Sequence, residues 1–181
     1  GANSYIGQNF IKFCLNNKIN VKAFCRNPDK LNVNFAKGDY IKVFPYSLEK
    51  NSNLNLENVN TIIHLAHERV YGARMNMLSD PNFYGAKHLI EQAKLYKIKN
   101  IIYLSSHLSH KSILSQYGKS KLLCENLFIN KDFIAVKTGM VFGGNESGLF
   151  KLILNQLKSK KIIPIIRSNA PIYPIHINDL N

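Results

Sequence analysis

The run Asn100-Ile101-Ile102-Tyr103-Leu104-Ser105-Ser106, followed downstream by Tyr117-Gly118-Lys119-Ser120-Lys121, decides the fold. The first stretch is short and almost continuously apolar, which predicts a strand buried on both faces over Asn100–Ser105. The second opens a helix predicted over Ser115–Phe128. Moving toward the N-terminus, Pro81–Tyr96 reads as a long amphipathic helix carrying Leu89, Ile90 and Ala93, and Thr61–Ala66 (TIIHLA) as another buried strand. Asn51–Asn60 is a polar connection. Before it come a strand over Tyr40–Phe44, a turn at Asn27-Pro28-Asp29, a strand over Val21–Cys25, and a helix over 4–16 with Ile6, Phe10, Phe13 and Cys14 on one face. Toward the C-terminus, Phe133–Lys137 reads as a strand, Gly148–Leu157 as a helix, and Ile162–Ile166 as a short apolar segment. Helices and buried strands alternate throughout. That pattern predicts an α/β chain whose parallel sheet is covered on both faces, a Rossmann-type doubly wound sheet forming one domain over residues 1–181.

The composition agrees. A chain of 181 residues with 45% hydrophobic residues can bury one sizeable core. No stretch of about eighteen apolar residues occurs, so no membrane span is expected. The three cysteines, Cys14, Cys25 and Cys124, are odd in number and lack CxxC spacing. That argues against a disulfide framework or zinc ribbon and for a reducing, cytoplasmic setting, with the thiols as small core residues. The formal charge of +13 raises the question of nucleic acid. A nucleic-acid footprint is clustered, however, and here only Lys158, Lys160 and Lys161 form a run, at a predicted helix C-terminus that suits cations. The expectation is therefore no nucleic-acid partner, with a basic surface that attracts an anionic small molecule such as a nucleotide diphosphate.

Two constellations carry chemistry. In Gly1-Ala2-Asn3-Ser4-Tyr5-Ile6-Gly7, glycines stand at a helix entrance, where the backbone can approach a pyrophosphate and the first amides can bind it. Downstream, Tyr117 and Lys121 lie four apart on one helix face. An ammonium beside a phenol favours the phenolate, which makes a usable acid/base. Ser105 and Ser106, at a strand end, can orient a substrate hydroxyl. His64 and His67 are the pair that could suggest a metal, but no carboxylate cluster or Cys/His spacing supports one, and no metal is expected.

Taken in order, these segments resemble the extended short-chain dehydrogenase/reductase superfamily, specifically the NAD-dependent epimerase/dehydratase family. GANSYIG resembles its glycine motif, IIHLAH its HLAA segment, and Asn82-Phe83-Tyr84-Gly85 its NxxG helix start. NIIYLSS resembles the strand bearing the catalytic serine, YGKSK the catalytic YxxxK, KTGMVFG the RPGxVYG strand, and PIHINDL the VHVDDL segment. The resemblance implies Tyr117 as catalytic acid/base, Lys121 as the group that holds the ribose and lowers the tyrosine pKa, and Ser106 as the catalytic hydroxyl. It further implies a cofactor site, NAD or NADP, made by Gly1, Ser4, Tyr5, Ile6, Gly7, Arg26, Leu65, Ala66, Ser105, Thr138, Tyr117 and Lys121. The substrate implied is a nucleotide sugar or another small molecule, and a homodimer is compatible with it.

The departures matter as much. Ser4 replaces a glycine, Thr138 a proline and Lys137 an arginine, and the segment between Ser106 and Tyr117 is short. Arg26 stands where NAD-specific relatives place an acid, and it suits either a 2′-phosphate or plain solvent. The implied function is an epimerase or dehydratase. The alternatives are an NADP-dependent reductase of a sugar or small carbonyl and a non-catalytic dinucleotide-binding module. The family pattern also predicts a strand before Gly1 and a substrate lobe after Asn181. On that expectation Val21–Cys25 and Thr61–Ala66 flank an open slot, and residues 1–181 alone aggregate readily and bind dinucleotide poorly.

Overall fold

In a computed structural model, residues 1–35, 38–49, 54–68, 80–144, 148–159 and 171–181 are described. Helix α1 is Tyr5–Asn16, β1 Val21–Cys25, α2 Pro28–Phe35, β2 Ile41–Pro45, β3 Thr61–His64, α3 Pro81–Leu95, and β4 Asn100–Ser106. Helix α4 is Gln116–Ile129, β5 Ile134–Thr138, β6 Met140–Phe142, α5 Gly148–Ser159, β7 Pro174–His176, and α6 Ile177–Leu180.

Among the described residues all strand pairings are parallel. β1 pairs β2 with Val21 opposite Ile41. β3, β4 and β5 form a three-stranded sheet with β4 central, Thr61 opposite Asn100 and Ile102 opposite Ile134. β6 pairs β7. Among the described residues β1 bonds only β2 and β3 only β4, and the first residues of the chain lie between the two strand ends. The Ala2 amide donates to the Phe24 carbonyl at 3.3 Å, and Gly1 packs on the backbone of Leu65 and Ala66. The expected doubly wound parallel architecture is present. One core cluster joins α3, α4, β4 and the segment around Leu54 and Leu56. A smaller one joins Ile11 of α1 to Ala23, Cys25 and Leu31. All three cysteines are buried and free. Among the described residues no helix is long and apolar enough to cross a membrane.

Several details differ from the sequence reading. The turn at Asn27-Pro28-Asp29 is the start of α2. Asn27 Oδ1 accepts the Lys30 amide at 3.1 Å and Pro28 takes the first helical position, so residues that suit a turn here cap a helix. β3 ends at His64, two residues before the predicted end. Strand β6 lies within KTGMVFG, the segment that resembles a strand of the family, whereas β7, also three residues long, was not anticipated. Ile162–Ile166, Lys160 and Lys161 lie outside the described residues, whereas Lys158 stands in the last turn of α5 as expected.

Three helix ends share one device. Lys18, Lys97 and Asp132 take positive φ after α1, α3 and α4. The amides of Ile19, Ile98 and Phe133 then bond back to Cys14, Ala93 and Phe128. This is the Schellman closure, which ordinarily selects glycine. Lys97→Gly should therefore stabilise the protein by roughly 0.5–1 kcal/mol. Urea unfolding measures this, and an unchanged midpoint would remove backbone strain at Lys97 from the account.

Candidate active site

Helix α1 begins beside the C-terminal ends of β1 and β3. Ser4 is its N-cap, and its Oγ accepts the Gly7 amide at 3.0 Å. The serine that replaces a glycine thus starts the helix. Gly7 has room for no side chain: a Cβ there would strike the Gly1 carbonyl oxygen and stand 2.8 Å from that of Ala2. A Cβ on Gly1 would lie 2.5 Å from the Leu65 carbonyl carbon and 2.6 Å from the Ala66 nitrogen. The glycine turn is therefore packed onto the residues just after β3, which brings Gly1, Gly7, Leu65 and Ala66 together. The Tyr5 hydroxyl donates to the Gly143 carbonyl and ties the first turn of α1 to the end of β6. Ile6 is half-buried in that turn.

The second half of the site is built by α4 running along β4. On one face of β4 the buried residues Ile101, Tyr103 and Ser105 alternate. Phe128 of α4 stacks on Tyr103 with ring centroids 4.7 Å apart. One helical turn nearer the α4 N-terminus, Glu125 receives the Ser105 hydroxyl at 2.5 Å. Another turn on, the Lys121 ammonium donates to the Leu104 carbonyl at 2.8 Å and stands 4.9 Å from the Tyr103 ring. Burial lowers the Lys121 pKa to about 8, so the ammonium persists at neutral pH but holds its proton less tightly.

One turn further, Tyr117 is 42% exposed at the mouth. Its ring meets that of His67 edge-on, with centroids 5.1 Å apart. Burial, with the Lys121 charge, lowers the His67 pKa to about 3, which keeps this imidazole neutral. His64 is a core residue stacked near Tyr103 and Phe128, lowered likewise to about 3, chiefly by burial.

Ser106 is nearly buried, and its Oγ accepts the Leu108 amide at 3.2 Å. Thr138, opposite Ser106 in the β4–β5 register, turns its hydroxyl to the Ser105 carbonyl at 3.4 Å and accepts the His107 amide on its own carbonyl at 2.7 Å. Gly118, inside the YxxxK segment, lets the loop after β4 close onto α4. A Cβ there would lie 2.5 Å from Ile113 Cγ1 and 2.6 Å from the Leu108 oxygen.

Two features were not read from the sequence as site elements. Fully buried Asp80 caps α3, accepts from Asn82 at 2.9 Å and receives Ser120 of α4 at 2.5 Å. Asn82 in turn clamps the backbone of Glu68, accepting its amide at 2.6 Å and donating to its carbonyl at 3.0 Å. Glu68 thereby meets Arg26, with Nη1 to Oε1 at 3.0 Å. Arg26 was read as free for a 2′-phosphate or for solvent; here its partner is a carboxylate. The signal for the clamp was Asn82 itself, quoted as a helix start but given no role.

The sequence profile of the family described as polysaccharide biosynthesis protein matches residues 47–179. No curated protein sequence matches the chain. Among solved structures, Pen from Bacillus thuringiensis superposes over 99% of this chain with a TM-score of 0.76 at 22% identity. MoeE5 in complex with UDP-glucose and NAD does so over 99% with 0.74 at 20%. A UDP-glucuronic acid 4-epimerase from Bacillus cereus in complex with NAD does so over 99% with 0.77 at 16%. At these identities the likeness establishes the fold. The chain spans 60% of Pen, 67% of MoeE5 and 69% of the Bacillus cereus epimerase.

Proposed function

The chain belongs to the polysaccharide biosynthesis protein family, and from that premise we propose that it is the dinucleotide-binding part of an enzyme that epimerises or dehydrates a nucleotide sugar. What supports the reading is Lys121 of α4 bonded to the Leu104 carbonyl two residues before Ser106, Tyr117 one turn earlier on the same helix against His67, and a glycine turn with no room for a Cβ packed on Leu65 and Ala66. The crowding at Gly1 and Gly7 fits a dinucleotide, because a backbone bare of side chains at a helix start is what a pyrophosphate needs. Gly1, Ser4, Tyr5, Ile6 and Gly7 would hold that group, and Leu65 and Ala66 would line the adenosine side. The NAD recorded in the MoeE5 and Bacillus cereus epimerase structures supports NAD as the cofactor.

When bound, the nicotinamide supplies a hydride acceptor that can return the hydride. This chain's residues do the rest. Tyr117, at the open mouth, takes the proton of a sugar hydroxyl at its phenolic oxygen. Lys121, held by the Leu104 carbonyl, provides the nearby positive charge that favours the phenolate and a donor for the ribose. Ser106 orients the reacting oxygen through its hydroxyl, and Ser105 and Thr138 fix the strand ends beside it. The neutral His67 keeps the Tyr117 ring from turning. The test is to add NAD and UDP-glucose to the native protein and follow nicotinamide absorbance together with sugar products. Absence of both nicotinamide reduction and product across UDP-glucose, UDP-glucuronic acid and UDP-N-acetylglucosamine would count against the reading.

Arg26 supports an NADP-dependent reductase as the second reading, but a 2′-phosphate must compete with Glu68 for the guanidinium. An exposed pair of this kind is worth about 0.2–1 kcal/mol. Glu68→Gln should therefore raise affinity for NADP relative to NAD by up to about fivefold. Arg26→Asp should lower that ratio by about tenfold or more. Calorimetric titration with both dinucleotides measures the ratios, and ratios unmoved by either change would exclude Arg26 from cofactor choice.

A further inference from the structure

Tyr117, Lys121 and Glu125 stand four residues apart along α4, so one helix face presents all three toward the end of β4. Glu125 is 4% exposed and is a hub. Its Oε2 accepts the Ser105 and Ser109 hydroxyls, each at 2.5 Å. Its Oε1 pairs with Lys137 of β5 at 3.1 Å, and the same ammonium donates to the Ser109 carbonyl at 2.8 Å. Ser109 is a fully buried loop residue whose amide donates to the Ser106 carbonyl at 2.9 Å. Ser106 thus sits between two serines gripped by one carboxylate.

Burial pushes Glu125 up, but the hydrogen bonds from Ser105, Ser109 and Lys137, with the Lys137 charge, outweigh it and hold the carboxyl below its ordinary value. An ionised carboxylate accepts from all three donors, which a protonated one cannot do without giving up an acceptor site.

We propose that Glu125, with Lys137, is a positioning residue that sets where the Ser106 hydroxyl stands relative to Tyr117, through its hold on Ser105 and Ser109. It touches no substrate. The same helix delivers Tyr117 and grips both flanks of Ser106, so the two reacting groups share one rigid reference. Lys137 fills the place of an arginine in the resembled motif, and its single ammonium reaches both Glu125 and the Ser109 carbonyl.

The proposal rests on the reading of Ser106 and Tyr117 above, and its test separates the two. In the native protein, hydrogen exchange of the backbone amides over 105–110 is compared for the unmodified protein, Glu125→Gln and the milder Ser109→Ala. Faster exchange confined to 105–110, with the α1 and β1 amides unchanged, is expected in both variants. Unchanged exchange there in both overturns the proposal without reference to activity. The second measurement is turnover of UDP-glucose, with NAD present, in a double-mutant cycle. Ser106→Ala and Glu125→Gln should each lower kcat by about tenfold or more while dinucleotide affinity holds, and the double variant should lose little beyond Ser106→Ala alone. Losses that multiply in the double variant overturn the proposal, because a merely structural role would not pass through Ser106. A Ser106→Ala protein with normal kcat would instead sink the reading of Ser106, and with it this one.

Discussion

Tyr117→Phe in the native protein is expected to reduce turnover by about 10²–10⁴-fold, the range for a lost acid/base, with dinucleotide affinity nearly unchanged. The change is narrow. Tyr117 is 42% exposed, and its ring rests on His67 with centroids 5.1 Å apart, a contact phenylalanine keeps. What disappears is the hydroxyl proposed to exchange the substrate proton. Lys121, held by the Leu104 carbonyl, and Ser106, held through the Ser105–Ser109 turn, keep their places. Turnover is followed as sugar product formed from UDP-glucose with NAD present. A variant with near-normal turnover would take Tyr117 out of the mechanism and favour a non-catalytic dinucleotide-binding role.

Gly7→Val is the second large effect. A side chain there strikes the Gly1 carbonyl and crowds that of Ala2, so the turn has to open or α1 has to shift. Overpacking of this kind costs typically ~1–3 kcal/mol, and the distortion falls on the turn that would hold the pyrophosphate. Dinucleotide affinity should fall by about 10–100-fold, with a lower melting temperature. Gly38→Ala is the control, since among the described residues a Cβ there would approach only Ile41 Cγ2, at 3.9 Å, and the change should alter neither quantity. Calorimetry and thermal melts on the three proteins decide it. Equal binding by Gly7→Val would place the dinucleotide elsewhere.

The parts of the fold legible in the sequence were those with strong local patterns. Val21–Cys25 and Asn100–Ser105 are short apolar runs that fit buried strands. α1 was legible as a helix, but its buried face is Gly7, Ile11 and Cys14 rather than Ile6, Phe10, Phe13 and Cys14, and Phe13 is 40% exposed. Helix α2 was hidden because PDKLNVNF is polar and rich in turn residues, although Asn27 before Pro28 is a helix-start signal as much as a turn signal. β6 and β7 are three residues each, too short for any period to register.

At the candidate site, the glycine turn and the Tyr117–Lys121 pair could be read from spacing. Glu125 could have been, since it continues that spacing by one more turn. Ser109, the Asp80–Asn82–Ser120 clamp and the Arg26–Glu68 pair could not. They join residues far apart in the chain, and only the parallel packing of β1, β3 and β4 with α3 and α4 brings them within bonding distance.

The central claim is that the glycine turn of α1 and the Tyr117–Lys121 face of α4 form one nicotinamide dinucleotide site. Calorimetric titration of the native protein with NAD and with NADP tests it most directly. Saturable binding of at least one of them, at one site per chain, is expected, weakened by Gly7→Val and retained by Tyr117→Phe. No saturable binding of either dinucleotide, or binding indifferent to Gly7→Val, would contradict it.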